Sequence, residues 1–145
     1  MTKRISVSRR AALAIGAGQV GLAGRVEAAI PEMTAIIAGR TAKTEGITLD
    51  IPSIAENGLV VPINVAVESP MTSGNYVKAI HIIATGNPNP LVASFRFTPM
   101  SGRAAASSRM RLAQTQDIIV LAELSNNDLL TAKSEVKVTI GGCGG

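Results

Sequence analysis

Between residues 47 and 140 the chain breaks into seven short runs that either alternate apolar and polar side chains or are apolar throughout. They cover residues 47–51, 59–68, 77–85, 91–98, 108–113, 117–124 and 132–140. A period of two places every second side chain on one face of an extended strand, so each alternating run can bury one face and wet the other. Val61, Ile63, Val65 and Val67 define such a face. Pro62 within the same run lacks an N–H and marks an edge or a bulge. Pro52 ends the first run, and Gly86-Asn87-Pro88-Asn89-Pro90 is a dense turn. The run 117–124 is apolar on both faces, which predicts a central strand. The chain shows neither an internal repeat nor the series of helices that a parallel sheet needs. These constraints predict a mainly β protein, an antiparallel β-sandwich of about seven strands. Its core must come from Val, Ile, Leu, Ala and Met, because Tyr76, Phe95 and Phe97 are the only aromatic residues. That scarcity excludes a nucleic-acid module built on stacked bases.

The part before residue 47 reads differently. Val26, Ala29, Ile30, Met33, Ile36 and Ile37 follow a helical period, and Gly39 stops it, which predicts a short helix over 26–38. The first 28 residues have the layout of an export signal. Lys3-Arg4 and Ser8-Arg9-Arg10 are basic, residues 11–24 are rich in Ala, Gly and Leu, and Val26-Glu27-Ala28 offers a cleavage point. The paired arginines match the twin-arginine signal in part. Leu13 is in place, whereas Ala12 stands at a usually aromatic position and Ala14 at a usual lysine. The apolar stretch is too short, and too interrupted by glycine and Gln19, for stable membrane insertion. The predicted division is an export signal at 1–28, a β-sandwich domain with an N-terminal helix at 29–140, and a flexible arm at 141–145. Five of the fourteen basic residues and one of the ten acidic residues lie in the first 28, so nine of each remain after cleavage. A near-neutral exported protein gives no electrostatic footprint for nucleic acid or anionic membrane.

The last run ends in Gly141-Gly142-Cys143-Gly144-Gly145, which holds the only cysteine. Each glycine costs an ordered strand about 0.5–1 kcal/mol relative to alanine, so the run predicts a flexible arm of Gly141, Gly142, Gly144 and Gly145 carrying a thiol. One cysteine cannot close an internal disulfide, which leaves a reactive thiol or a disulfide-linked dimer through Cys143. One cysteine and one histidine make no zinc site, so no metal and no cofactor are expected. His81, the only histidine, sits in an apolar strand without a nucleophile elbow and reads as a hydrogen-bonded or solvated strand residue. Arg109 and Arg111 are predicted to share one strand face; they read as a solvated face, with oxyanion binding as the alternative. A free thiol with a pKa near 8.5 is only about 3% thiolate at pH 7. The arm supplies no cation and no helix N-terminus to activate it. A mobile, unactivated thiol fits a handle that borrows its reactivity from partner enzymes, not a catalyst, and the chain is therefore not expected to be an enzyme.

The ending Val136-Lys137-Val138-Thr139-Ile140-Gly141-Gly142-Cys143-Gly144-Gly145 resembles the C-terminus of the SoxY family of thiosulfate-oxidation sulfur carriers. Three further stretches share the resemblance: Ala55-Glu56-Asn57-Gly58 with Val61-Pro62, Asn87-Pro88-Asn89-Pro90-Leu91-Val92, and Arg111-Leu112-Ala113-Gln114-Thr115-Gln116. The resemblance implies an immunoglobulin-like sandwich working in the periplasm as a heterodimer with a SoxZ-like subunit. It implies that Cys143 is the covalent attachment site, joined oxidatively to thiosulfate by a SoxAX-like haem enzyme to give a cysteine S-thiosulfonate. A SoxB-like hydrolase would release sulfate, and a sulfane dehydrogenase, where present, would oxidise the remaining persulfide. The glycines would let the loaded sulfur pass a narrow channel. Two other readings remain open at the level of sequence. One is a C-terminal thiocarboxylate carrier using Gly145; the other is a non-catalytic envelope sandwich that binds partners without using the arm.

Overall fold

The computed structural model describes residues 30–142. The predicted export segment 1–28 and the arm residues Cys143, Gly144 and Gly145 lie outside the described residues. The described chain opens with a helix, α1 (Pro31–Ile37), followed by nine strands. They are β1 (Ala42–Lys43), β2 (Ile47–Asp50), β3 (Ile54–Asn57), β4 (Val61–Val67), β5 (Val77–Ala84), β6 (Leu91–Arg96), β7 (Ala104–Met110), β8 (Gln116–Leu124) and β9 (Leu129–Ile140). A three-residue helical turn, Pro99–Ser101, lies between β6 and β7. The expected mainly β two-sheet fold is present. The larger sheet runs β1-β9-β8-β5-β6, with β3 also on β9, and the smaller runs β2-β4-β7.

Between the sheets, Val61, Ile63, Val65 and Val67 of β4 meet Ile80 and Ile82 of β5 and Ile118 and Val120 of β8. The outer face of the larger sheet is closed by α1, where Met33 packs with Ile83, Ile119, Leu121 and Leu129. β8 therefore buries both faces, one in each cluster, as its uninterrupted apolar run predicts. Each fully buried Ile or Leu here contributes about 1.5–3 kcal/mol relative to exposure.

Three sequence expectations are corrected. The predicted helix 26–38 is interrupted at Ile30, which is extended (φ −107°, ψ 103°), and Pro31 takes the first helical position of α1, while residues 26–29 lie outside the described residues. Proline excludes the α conformation from the residue before it and suits a helix start. The helix ends where Ala38 and Gly39 turn left-handed, with φ of 49° and 76°. The strand placed at 108–113 occupies Ala104–Met110 instead, so Arg111 lies beyond it and does not share a strand face with Arg109. Its ladder with β4 ends at Val61↔Met110, after which Leu112 turns its N–H to Gly58. Finally, the larger sheet is not wholly antiparallel: β1 and β3 pair with β9 in parallel. At two and four residues they are too short to carry a period, and they exist because β9 offers an edge. Pro62 is accommodated because β2 covers only Asn64–Val67 of β4, leaving that flank open beside the proline.

Candidate functional site

The separate stretches that carry the family resemblance converge where β9 ends. Gly58, just after β3, donates its N–H to Ile140 O at 2.7 Å and accepts the Leu112 N–H at 2.8 Å. The carbonyl of Leu112 in turn accepts the Gly142 N–H at 2.8 Å. Residues 111–113 are thus gripped on one side by Gly58 and Gly142. On the other side stands Asn87, whose amide donates to Arg111 O at 2.7 Å and whose Oδ1 accepts Ala113 N–H at 3.0 Å. The same oxygen accepts from Gln116 Nε2 at 2.9 Å, and Gln116 Oε1 accepts the Gly86 N–H at 2.8 Å. Both side chains are buried, so every one of these bonds matters: an unmet buried polar group costs about 1–3 kcal/mol. Thr115 adds a further tie, its Oγ1 accepting the Val138 N–H at 2.9 Å.

The glycines at this junction are needed for contact. A β-carbon on Gly141 would collide with the carbonyl oxygen of Ala113. One on Gly142 would stand 2.8 Å from Gly58 O, and one on Gly58 would strike Leu112 O. All of these obstacles are backbone, which no rotamer change can clear. Gly142 is itself buried. The expectation of an arm free from Gly141 onward is therefore corrected for its first two residues: Gly141 and Gly142 are packed against the sandwich, because glycine permits a close approach as readily as it permits disorder. Cys143, Gly144 and Gly145 remain the part of the predicted arm outside the described residues. Ile54, Leu59, Val60 and Ile140, all apolar and exposed, lie along the same β3–β9 end of the molecule.

The other candidate side chains stand elsewhere. His81 is 4% exposed on the α1 face of the larger sheet, directly opposite Ser94 on β6. Its Nδ1 lies 2.7 Å from Ser94 Oγ and its Nε2 2.8 Å from Glu123 Oε2. Glu123 Oε1 also accepts from Arg40 Nη2 at 2.8 Å, and Arg40 reaches the carbonyls of Ile36 and Ile37 at the end of α1. Burial pushes the Glu123 carboxyl up, but hydrogen bonds from His81 and Arg40 and their charges outweigh it and hold the group below its usual range. The predicted hydrogen-bonded strand histidine is what the geometry shows, and its partners tie α1 to the sheet. Arg109 and Arg111 are both exposed and line a groove of about 310 Å³ with Asn87, Asn89 and Leu91. Among the described residues, no three His, Cys, Asp or Glu side chains converge as a metal site. Sequence reasoning missed Gly58, Asn87 and Gln116 as supports of the glycine junction. Their signal was present only as three short stretches far apart in the chain, with nothing to say that they meet.

The site and fold together define a two-sheet, immunoglobulin-like sandwich whose final strand ends in a glycine pair clasped by two loops. The family model described as "Sulfur oxidation protein SoxY" matches residues 33–143, and the chain belongs to that family. Among solved structures it is similar to the sulfur carrier protein SoxY from Chlorobium limicola f thiosulfatophilum. The identity is 34%, covering 78% of this chain and 99% of that one, with a TM-score of 0.60. Superoxide reductases share the fold alone. One from Ignicoccus hospitalis is 18% identical over 70% of this chain and 85% of its own, with a TM-score of 0.58. Another, from Nanoarchaeum equitans, is 14% identical over 66% and 99%, with a TM-score of 0.55. No curated protein sequence matched the chain.

Proposed function

We propose that this protein is a periplasmic covalent sulfur carrier in thiosulfate oxidation, that Cys143 is the attachment site, and that the chain itself catalyses no step. The observation that carries the reading is the clasped root. Gly142, fixed to Leu112 O, is the residue before the single cysteine, so the sandwich holds the backbone immediately before the thiol. Membership of the SoxY family supports the sulfur chemistry. In this reading a haem oxidase joins the Cys143 sulfur to the sulfane sulfur of thiosulfate, removing two electrons and releasing the thiol proton. A hydrolase then adds water and liberates sulfate, leaving a persulfide for a sulfane dehydrogenase or for further turnover. A SoxZ-like subunit completes the carrier as a heterodimer, and the paired arginines direct export.

Incubation with thiosulfate and the partner oxidase, followed by intact-mass measurement, tests this. The expected result is one adduct mapping to Cys143 and absent from Cys143→Ser. No adduct, or an adduct of equal yield on Cys143→Ser, overturns it, and a modification mapping to Gly145 would indicate a thiocarboxylate carrier instead. Co-expression with the SoxZ-like subunit is expected to yield a 1:1 complex on size exclusion; two separate monomer peaks would remove the heterodimer from the proposal.

A further inference from the structure

The groove beside the clasp has a chemistry that the clasp does not explain. Arg109, at the end of β7, and Arg111, two residues on, enter one concavity with Asn89 at its rim. Among the described residues neither guanidinium contacts a carboxylate, whereas Arg40, Lys43 and Lys133 each do. Two guanidiniums lining one groove can share an anion, and guanidinium forks match the oxygens of tetrahedral oxyanions. The wall carrying Arg111 is rigid, since Asn87 binds its carbonyl and the N–H of Ala113. Arg111 is also bonded to Leu112, whose carbonyl holds Gly142. Summed along that path, the α-carbons of Arg111 and Cys143 are separated by at most about 15 Å in any conformation that keeps the clasp. A loaded cysteine side chain and an extended arginine side chain approaching from opposite ends can close that distance.

We propose that Arg109 and Arg111 form a resting site for the anionic sulfo end of a cysteine S-thiosulfonate on Cys143. The site holds the cargo against the sandwich between visits to partner enzymes and shields its disulfide-like bond from stray thiols. This rests on the covalent-carrier reading above. The same oxyanion chemistry can arrive free, as sulfate or thiosulfate, so the test separates the two sources.

The full chain can be loaded without partner enzymes by tetrathionate. The Cys143 thiolate attacks a central sulfur, the central S–S bond breaks, and thiosulfate leaves with the electron pair. The product is Cys–S–S–SO3⁻, with the thiol proton passing to solvent. Loading is verified by intact mass. In ¹⁵N-labelled protein, with guanidinium resonances assigned through Arg109→Lys and Arg111→Lys, both Nε–Hε signals are expected to shift on loading. Millimolar sulfate added to Cys143→Ser is expected to leave them in place. Removal of the adduct by dithiothreitol is expected to run about threefold faster in the Arg109→Ala/Arg111→Ala double variant, the effect of losing one exposed ion pair. High salt should bring the wild type to the rate of the variant. Both residues are exposed, and an unchanged melting temperature verifies that the variant folds. A confirmed adduct with unmoved guanidinium signals and an unchanged removal rate overturns the proposal while leaving the carrier reading intact. Equal shifts from free sulfate on Cys143→Ser also overturn it, by making the groove a general anion site. Failure to form any adduct on Cys143 with the partner oxidase would instead count against the carrier reading.

Discussion

The five terminal residues carry four glycines, and the described pair does a job that composition conceals. Glycine is the residue both of loose chain and of chain so closely packed that no other fits. Gly141 is of the second kind. Replacing it by alanine sets a β-carbon against the Ala113 carbonyl, and relief requires the backbone to move. The expected cost of Gly141→Ala is about 1–3 kcal/mol, seen as a melting point lower by several degrees. An unaltered melting point would show that the root detaches without consequence. Asn87→Ala should do comparable or greater damage from a distance. It strips partners from Arg111 O, Ala113 N–H and Gln116 at once, for about 2–4 kcal/mol measured by urea denaturation. A loss under about 0.5 kcal/mol would mean that water replaces the side chain without penalty.

At the scale of elements, what the sequence disclosed depended on length. β4 shows its alternation plainly, and β8 its double burial, because seven to nine residues suffice for a period. β1 and β3 have no period to show; their pairing is a property of β9, which meets them from another part of the chain. β7 began earlier than expected because Ala104, Ala105, Ala106 and Ser107 offer little contrast between faces. The docking of α1 was equally hidden. Its apolar spacing was legible, but the Arg40–Glu123–His81 chain that ties its end to β8 and β5 joins residues up to 83 positions apart. That chain sets a pH dependence. Folding lowers the Glu123 pKa, so folding favours the ionised carboxylate. The resulting stabilisation is complete above the ordinary glutamate value of about 4.3 and disappears as pH falls through the lower folded value. Glu123→Gln is therefore expected to reduce stability at neutral pH and to flatten the acid limb of the stability profile below the ordinary glutamate value. A variant profile parallel to that of the wild type would refute the linkage. Met33→Ala, by emptying a side chain that is 2% exposed beneath α1, should cost about 2–5 kcal/mol by the same denaturation measurement.

For the molecule as a whole, β9 is the organising member. Its first residues receive β1, its length pairs with β8, its last residues receive β3, and its end runs into the clasped glycines. Ladder hydrogen bonds lie across the strand, so a tug along its axis loads many of them together, in shear, where a sideways pull would open them one at a time. A pull on the chain beyond Gly142 therefore acts along the direction in which the β9 ladders are loaded in shear. The first thing to yield would be the single bond from Gly142 to Leu112 O, a short tether that can pay out while the twelve-residue strand behind it stays seated. Mechanically, the protein is a rope spliced lengthwise into its own mooring.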